Sequence, residues 1–233
     1  MTGNSEEPNP LGQSNRDADA PAAEGRSQLP VLIVISAIAL AFGVWASTQV
    51  QTAKTNVQID IGTVLPAGKP LPAFELSDQD GNAFTADSFK GKWSFVFFGY
   101  TFCPDICPTA LATFREVRDR IAGTEAGLDN VQFVFVSVDP ERDSPARLKE
   151  YVQFFSPDFQ GVTGEREQID RLVRASGAVY MKVPGGDEKS YLVDHSASVF
   201  LMGPDGGLTA FLRAPHDPSK VVPAFEKIRA ARG

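Results

Sequence analysis

The sequence predicts an α/β fold, a sheet flanked by helices, preceded by an N-terminal transmembrane helix. Three observations carry this. Trp93–Tyr100 (WSFVFFGY) and Val131–Val138 (VQFVFVSV) are nearly continuous apolar runs, as central strands covered on both faces should be. Apolar residues at helical spacing follow each of them. Near the start, Leu29–Ser47 is apolar and uncharged, close to the roughly 20 residues a helix needs to span a bilayer.

Taken in order, residues 1–28 are polar, with no apolar period, and read as a disordered cytoplasmic tail. Five acids (Glu6, Glu7, Asp17, Asp19, Glu24) outnumber Arg16 and Arg26, unlike an Arg-rich transit peptide. Residues 29–49 are assigned as a transmembrane anchor. The charge-free window runs from Ser27 to Ala53, longer and later than the apolar core of a cleaved signal peptide, and Trp45 suits the membrane interface. Arg16 and Arg26 before the span place the N-terminus in the cytoplasm and the rest outside. Residues 50–66 read as a linker, and residues 67–233 as one domain.

Within that domain Phe74–Leu76 and Ala83–Thr85 flank Asp80-Gly81-Asn82, a hairpin signal. After the strand Trp93–Tyr100, a helix buries Leu111, Phe114, Val117 and Ile121. After Val131–Val138, Ser144 and Pro145 are the N-cap and first residue of a helix with Leu148, Tyr151, Val152 and Phe155 inward. Ile169, Leu172 and Val173 mark another helix, stopped by Gly177. Ser198–Met202 and Leu208–Phe211 bracket a Gly/Pro/Asp turn, and Asp217-Pro218 opens a last helix with Val221, Val222, Phe225 and Ile228 inward.

The net charge of −7 argues against a nucleic-acid surface. The chain has two cysteines, which excludes a four-cysteine cluster or zinc site. Both sit in Cys103-Pro104-Asp105-Ile106-Cys107-Pro108, where a central strand hands over to a helix. That is the edge of an open α/β sheet where sites form. Proline disfavours helical dihedrals in the residue before it, so the helix is expected to begin at Pro108 with Cys107 at its N-cap. The helix N-terminus favours thiolate over thiol. Such a pair can bind a soft metal or exchange disulfides.

His195, in Val193-Asp194-His195-Ser196, precedes a strand and is the candidate third ligand, with Asp194 beside it to orient the loop. His216 reads as a loop residue. Two thiolates and an imidazole suit Cu(I), and Cu(II) with a further weak ligand; zinc would need a fourth strong ligand from His216 or a carboxylate. Asp139, Arg142 and Asp143 are read as a turn with a charge pair at a helix start, rather than as a charged rim of the site.

Phe98–Pro108, Val136-Ser137-Val138-Asp139-Pro140-Glu141-Arg142-Asp143, Val193–Ser196 and Gly203-Pro204-Asp205-Gly206, in that order, resemble the Sco/SenC family. So do Leu76–Gly81 and Phe89–Trp93 upstream. The resemblance implies a thioredoxin-like fold, anchored in the bacterial inner membrane with the domain in the periplasm. It implies copper held by Cys103, Cys107 and His195. It further implies a metallochaperone rather than an enzyme, which delivers copper to the binuclear site of cytochrome c oxidase subunit II or keeps that subunit's cysteines reduced. Other periplasmic copper carriers are expected partners. Phe102 stands where some members carry a histidine. A thiol–disulfide oxidoreductase using Cys103 and Cys107 is the alternative, although the strand-head segment reads Asp194-His195-Ser196 without a proline. A peroxidase of the peroxiredoxin kind ranks lower, because Tyr100 holds the place of its threonine.

Overall fold

A computed structural model describes residues 29–55, 57–183, 185 and 191–232, so the expected tail over 1–28 lies outside the described residues. The chain divides into two units, Met1–Ser47 and Thr48–Gly233. In the first, helix α1 (Leu29–Thr55) begins where the apolar stretch does and continues into the second. Its side chains are described over residues 32–46, and these are mostly exposed. Among the described residues no helix is long and apolar enough to cross a membrane.

The second unit is built on an eight-stranded mixed sheet. Its strands are β1 (Gly62–Lys69), β2 (Glu75–Asp78), β3 (Ala83–Thr85), β4 (Trp93–Gly99), β5 (Val131–Ser137), β6 (Phe159–Thr163), β9 (Val199–Met202) and β10 (Leu208–Leu212). They lie in the order β1-β10-β9-β4-β5-β6-β2-β3. Strands β7 (Tyr180–Val183) and β8 (Leu192–His195) form a separate antiparallel pair. The helices of this unit are α2 (Ile106–Ala122), α3 (Pro145–Phe155), α4 (Arg166–Ser176) and α5 (Pro218–Arg232).

The central strands behave as their composition demands. Every residue of β4 is buried, and β4 runs parallel to β5, which runs parallel to β6. Parallel neighbours need crossovers, and α2 and α3 supply them. The period of two sends Phe95, Phe97, Phe133 and Phe135 to one face. There Phe95 and Phe133 stack at 5.0 Å, and Phe114 of α2 and Phe225 of α5 pack edge-on against Phe95. Val96, Phe98, Val134 and Val136 point the other way and are equally buried, so both faces are covered.

Several boundaries differ from expectation. The linker was expected to reach residue 66, but β1 pairs with β10 from Gly62 onward. An edge strand tolerates Pro66, and the register shifts between Val64 and Lys69. Strand β6 was not anticipated: FQGVT is short and its glycine weakens the pattern. That glycine lets α3 pack close, since a Cβ at Gly161 would lie 3.0 Å from Leu148 Cβ of α3. The expected cap held at Ser144, whose Oγ accepts from Arg147 N at 3.3 Å. Gly177 ends α4 in the left-handed region with φ 77°, open to glycine without strain.

Candidate metal centre

The three sequence-predicted ligands come together. The sulfurs of Cys103 and Cys107 and a ring nitrogen of His195 all lie within 4.8 Å of one another. Cys103 sits half-buried in the loop after β4, Cys107 is buried in the first turn of α2, and His195 is the last residue of β8. Cys107 Sγ is 3.2 Å from His195 Nε2.

Helix α2 starts two residues before the expected Pro108, with Asp105 at the N-cap. Cys107 takes helical dihedrals despite the proline after it, and Pro108 itself is tolerated as the third helical residue. Its missing N–H is one of the first-turn donors that have no helical partner in any case. Cys107 is thereby inside the helix and aimed at the sheet. A Cβ on Gly99, at the end of β4, would lie 2.6 Å from Cys107 Sγ and 2.8 Å from Phe135 Cε2. The sulfur occupies space that only glycine leaves.

His195 is held edge-on between Phe97 and Tyr100, with ring centres 5.6 and 6.0 Å away. Its Nδ1 lies 3.2 Å from Ser196 O. With Nδ1 beside that carbonyl, Nε2 is turned toward the sulfurs and is the ring nitrogen a metal would take. Pairing of β7 with β8 sets Tyr180 opposite His195 and fixes the ring's base.

The two thiols are unequal. A hydrogen bond from Cys107, another from His195, and the N–H groups of Asp105 and Cys107 bring Cys103 down to about 3, against the effect of burial. Cys107 is pushed up, first by that same hydrogen bond to Cys103 and then by burial. The metal-free pair therefore holds one stable thiolate, on the more exposed sulfur. A soft cation replacing the Cys107 proton would make both sulfurs thiolates beside a neutral imidazole. That donor set fits monovalent copper in its chemistry.

A model of the SCO1/SenC family matches residues 65–230. The chain belongs to that family. The mitochondrial SCO2 homolog of Bos taurus is 32% identical over 189 residues, covering 81% of this chain and 71% of its own. Among solved structures, Arabidopsis thaliana ScoI with copper bound is similar at 36% identity and TM-score 0.64, covering 69% of this chain and 99% of its own. Bradyrhizobium japonicum ScoI with copper bound gives 38% identity and TM-score 0.59, covering 69% and 98%. The Sco fold, thioredoxin-like, is the fold of this chain.

Around the Sco-type centre, residues 139–143 make the expected turn, closed by Arg142 N to Asp139 O at 3.2 Å, and the charge pair is Asp139 with Arg142, but the side chains also reach beyond the turn. Asp139 is fully buried, bonded to Arg142 at 2.5 Å and accepting from Tyr191 Oη at 2.6 Å. The Arg142 guanidinium lies 3.6 Å from the Tyr191 ring centre. Asp143 does not serve a charge pair with Arg142; it accepts from Thr101 of the cysteine loop. Tyr191, Thr101 and Arg147 escaped sequence reasoning because nothing in their local pattern names a distant partner. His216 is not brought to the ligand group. Its Nε2 lies 2.7 Å from Ala197 O, and burial lowers its pKa. Asp194 is not hydrogen-bonded to the His195 ring; Ser196 O orients it instead.

Proposed function

We propose that this chain binds one copper ion through Cys103, Cys107 and His195 and passes it on during assembly of cytochrome c oxidase. The observation that carries this is the convergence of two sulfurs and one imidazole nitrogen within 4.8 Å. Support also comes from the family and from similar structures that hold copper. Three soft donors hold Cu(I) without closing its coordination shell, so a thiolate of an acceptor can enter before the donor leaves. Half-buried Cys103 is the sulfur a partner reaches first. The acceptor in this reading is the binuclear copper site of subunit II. The same dithiol could reduce that subunit's cysteines, and the stable thiolate on Cys103 favours a role in exchange as a second reading. The contact of Cys107 with His195 weighs toward metal binding, since an imidazole adds nothing obvious to dithiol exchange.

The apolar Leu29–Ser47 stretch supports a single membrane anchor, with the domain in the periplasm at the inner membrane. The test is copper titration of the full chain, reduced, beside single substitutions at the three ligands. One copper per parent chain and loss at each variant is expected; undiminished binding after removal of His195 would refute the three-ligand site. Protease protection in intact spheroplasts and vesicles tests the placement: digestion of the domain from the periplasmic side is expected.

A further inference from the structure

Cys107 sits in a helix and His195 in a strand pair, but Cys103 sits in an irregular loop. Its own backbone bond is Cys103 N to Tyr100 O, at 3.2 Å. The grip on that loop comes from elsewhere. Thr101, buried, gives both its donors to one carboxylate: its N–H reaches Asp143 Oδ2 at 2.9 Å and its hydroxyl reaches Asp143 Oδ1 at 2.6 Å. Ser137 Oγ, at the end of β5, also donates to Asp143 Oδ2, at 2.7 Å. The Asp143 backbone is fixed in turn by its N–H to Asp139 O at 3.0 Å. Arg147, in the first turn of α3, donates Nε to Thr101 Oγ1 at 2.6 Å and lays its guanidinium 4.1 Å from the Phe102 ring centre.

We propose that Asp143 is a positioning residue of the metal centre. Through Thr101, and with Arg147, it fixes the loop that presents Cys103 and so sets where that sulfur stands relative to Cys107 and His195. This rests on the copper reading for its consequence, although the strap is a feature of the metal-free chain.

Burying a carboxylate is costly unless hydrogen bonds satisfy it, and Asp143 is 1% exposed. A carboxylate serving its own turn or the helix start would bond there. The cap of α3 is Ser144, and the side-chain bonds to Asp143 come from Thr101 and Ser137. The two donors of one threonine, on both oxygens of one carboxylate, leave the loop little freedom to rotate. Metal sites need their donors held within about half an ångström, and the irregular loop cannot supply that alone.

The test compares the full chain in mild detergent with Thr101→Val, Thr101→Ser and Asp143→Asn. Thr101→Val keeps the shape and the backbone bond but removes the hydroxyl, and Thr101→Ser restores it. Each protein is loaded with Cu(I) and challenged with bicinchoninate, a Cu(I) chelator. Thr101→Val and Asp143→Asn should release copper about tenfold faster while still binding one ion per chain, and Thr101→Ser should release it at the parental rate. Parental release from folded Thr101→Val, or equal release from the Val and Ser variants, overturns the proposal. If Asp143→Asn fails to fold by circular dichroism, the threonine pair decides.

A metal-free measurement separates this from the copper reading. In chain never exposed to copper, the dithiol–disulfide equilibrium with glutathione should shift toward disulfide by about threefold or more in Thr101→Val, because a freed loop brings the sulfurs together more easily, and not in Thr101→Ser. A parent that takes up no copper sinks the copper reading alone. The glutathione shift then supports the strap, and an unchanged constant overturns it.

Discussion

Cys107 Sγ lies 3.2 Å from His195 Nε2, although 88 residues separate them in the chain. The fold makes that contact by ending β8 beside the first turn of α2, below the carboxyl end of β4. Phe97 and Tyr100 clasp the imidazole and Ser196 O lies 3.2 Å from its Nδ1, so the ring is oriented before any metal arrives.

Replacement His195→Ala should therefore cost affinity and spare the fold. The ring is not a core element: it closes the site at its edge. Loss of a direct ligand should reach or exceed the roughly 10–100-fold that loss of an outer partner causes in metal affinity. His216→Gln is the control and should bind copper as the parent does, since His216 is bonded to Ala197 O. Chelator competition on both variants reads this directly; equal losses would mean that the two histidines share the site.

Tyr191→Phe tests the clasp between the β7–β8 pair and the segment after β5. The hydroxyl donates to fully buried Asp139 at 2.6 Å, and the Arg142 guanidinium covers the ring. The ring stays in the variant, and the bond to Asp139 goes together with a longer one to Glu141 at 3.4 Å. A loss of about 1.5–3 kcal/mol in unfolding free energy is expected. Urea titration measures it; a change under a few tenths would show that Asp139 is satisfied without the tyrosine.

Phe114→Ala should be the most damaging of these changes to stability and the least informative about copper. Its ring meets Phe95, Phe97, Phe133 and Phe159, joining α2 to three adjacent strands. Truncating such a residue costs about 3–5 kcal/mol. Thermal unfolding should register this, and protein that remains folded should keep one copper per chain.

The central strands were legible because burial on both faces writes itself as an unbroken apolar run, and the Ser144-Pro145 start because capping is local chemistry. Strands β6, β7 and β8 were not. Four or five residues with a glycine, a lysine or an aspartate carry too little period, and their strand character comes from neighbours distant in sequence. The three converging side chains could be named because Cys103 and Cys107 share one motif and histidines are scarce. The support around them could not: Asp143 sits beside Arg142 and Ser144 in the chain, and only folding turns it toward Thr101. The helix start was misplaced for a related reason. The bias of Cys107 against helical dihedrals is a local preference, and packing of its sulfur against Gly99 outweighs it.

Gly99→Ala should strike both stability and metal binding through that packing. The new Cβ would meet Cys107 Sγ at 2.6 Å and Phe135 Cε2 at 2.8 Å, and neither can swing clear, one being in the first turn of α2 and the other in the sheet core. Overpacking of this kind costs about 1–3 kcal/mol. Because one of the displaced atoms is a proposed ligand, copper affinity should fall as well, in contrast to Phe114→Ala. Parallel melting and chelator competition distinguish the two; a destabilised Gly99→Ala protein with parental affinity would show that the sulfur is free to move.

The pH dependence of thiol reactivity follows from the unequal pair. Hydrogen bonds from Cys107 and His195 hold Cys103 at about 3, so its charged form is the favoured one and takes a proton only as pH falls through that value. Cys107 is pushed the other way and stays protonated. In metal-free protein, alkylation of Cys103 by iodoacetamide should therefore be nearly flat from roughly pH 5 to pH 8, whereas an ordinary thiol gains about tenfold per unit below its value near 8.5. The rate itself should be modest, because a thiolate of low basicity is a weaker nucleophile. Peptide mapping by mass spectrometry assigns the label, which should fall on Cys103 and spare Cys107. Removing the imidazole with His195→Ala takes away one of the bonds that hold the charge, so the flat region should shrink from its acid end. A tenfold rise per unit between pH 6 and 8 in the parent would show that no stable thiolate exists in the folded pair.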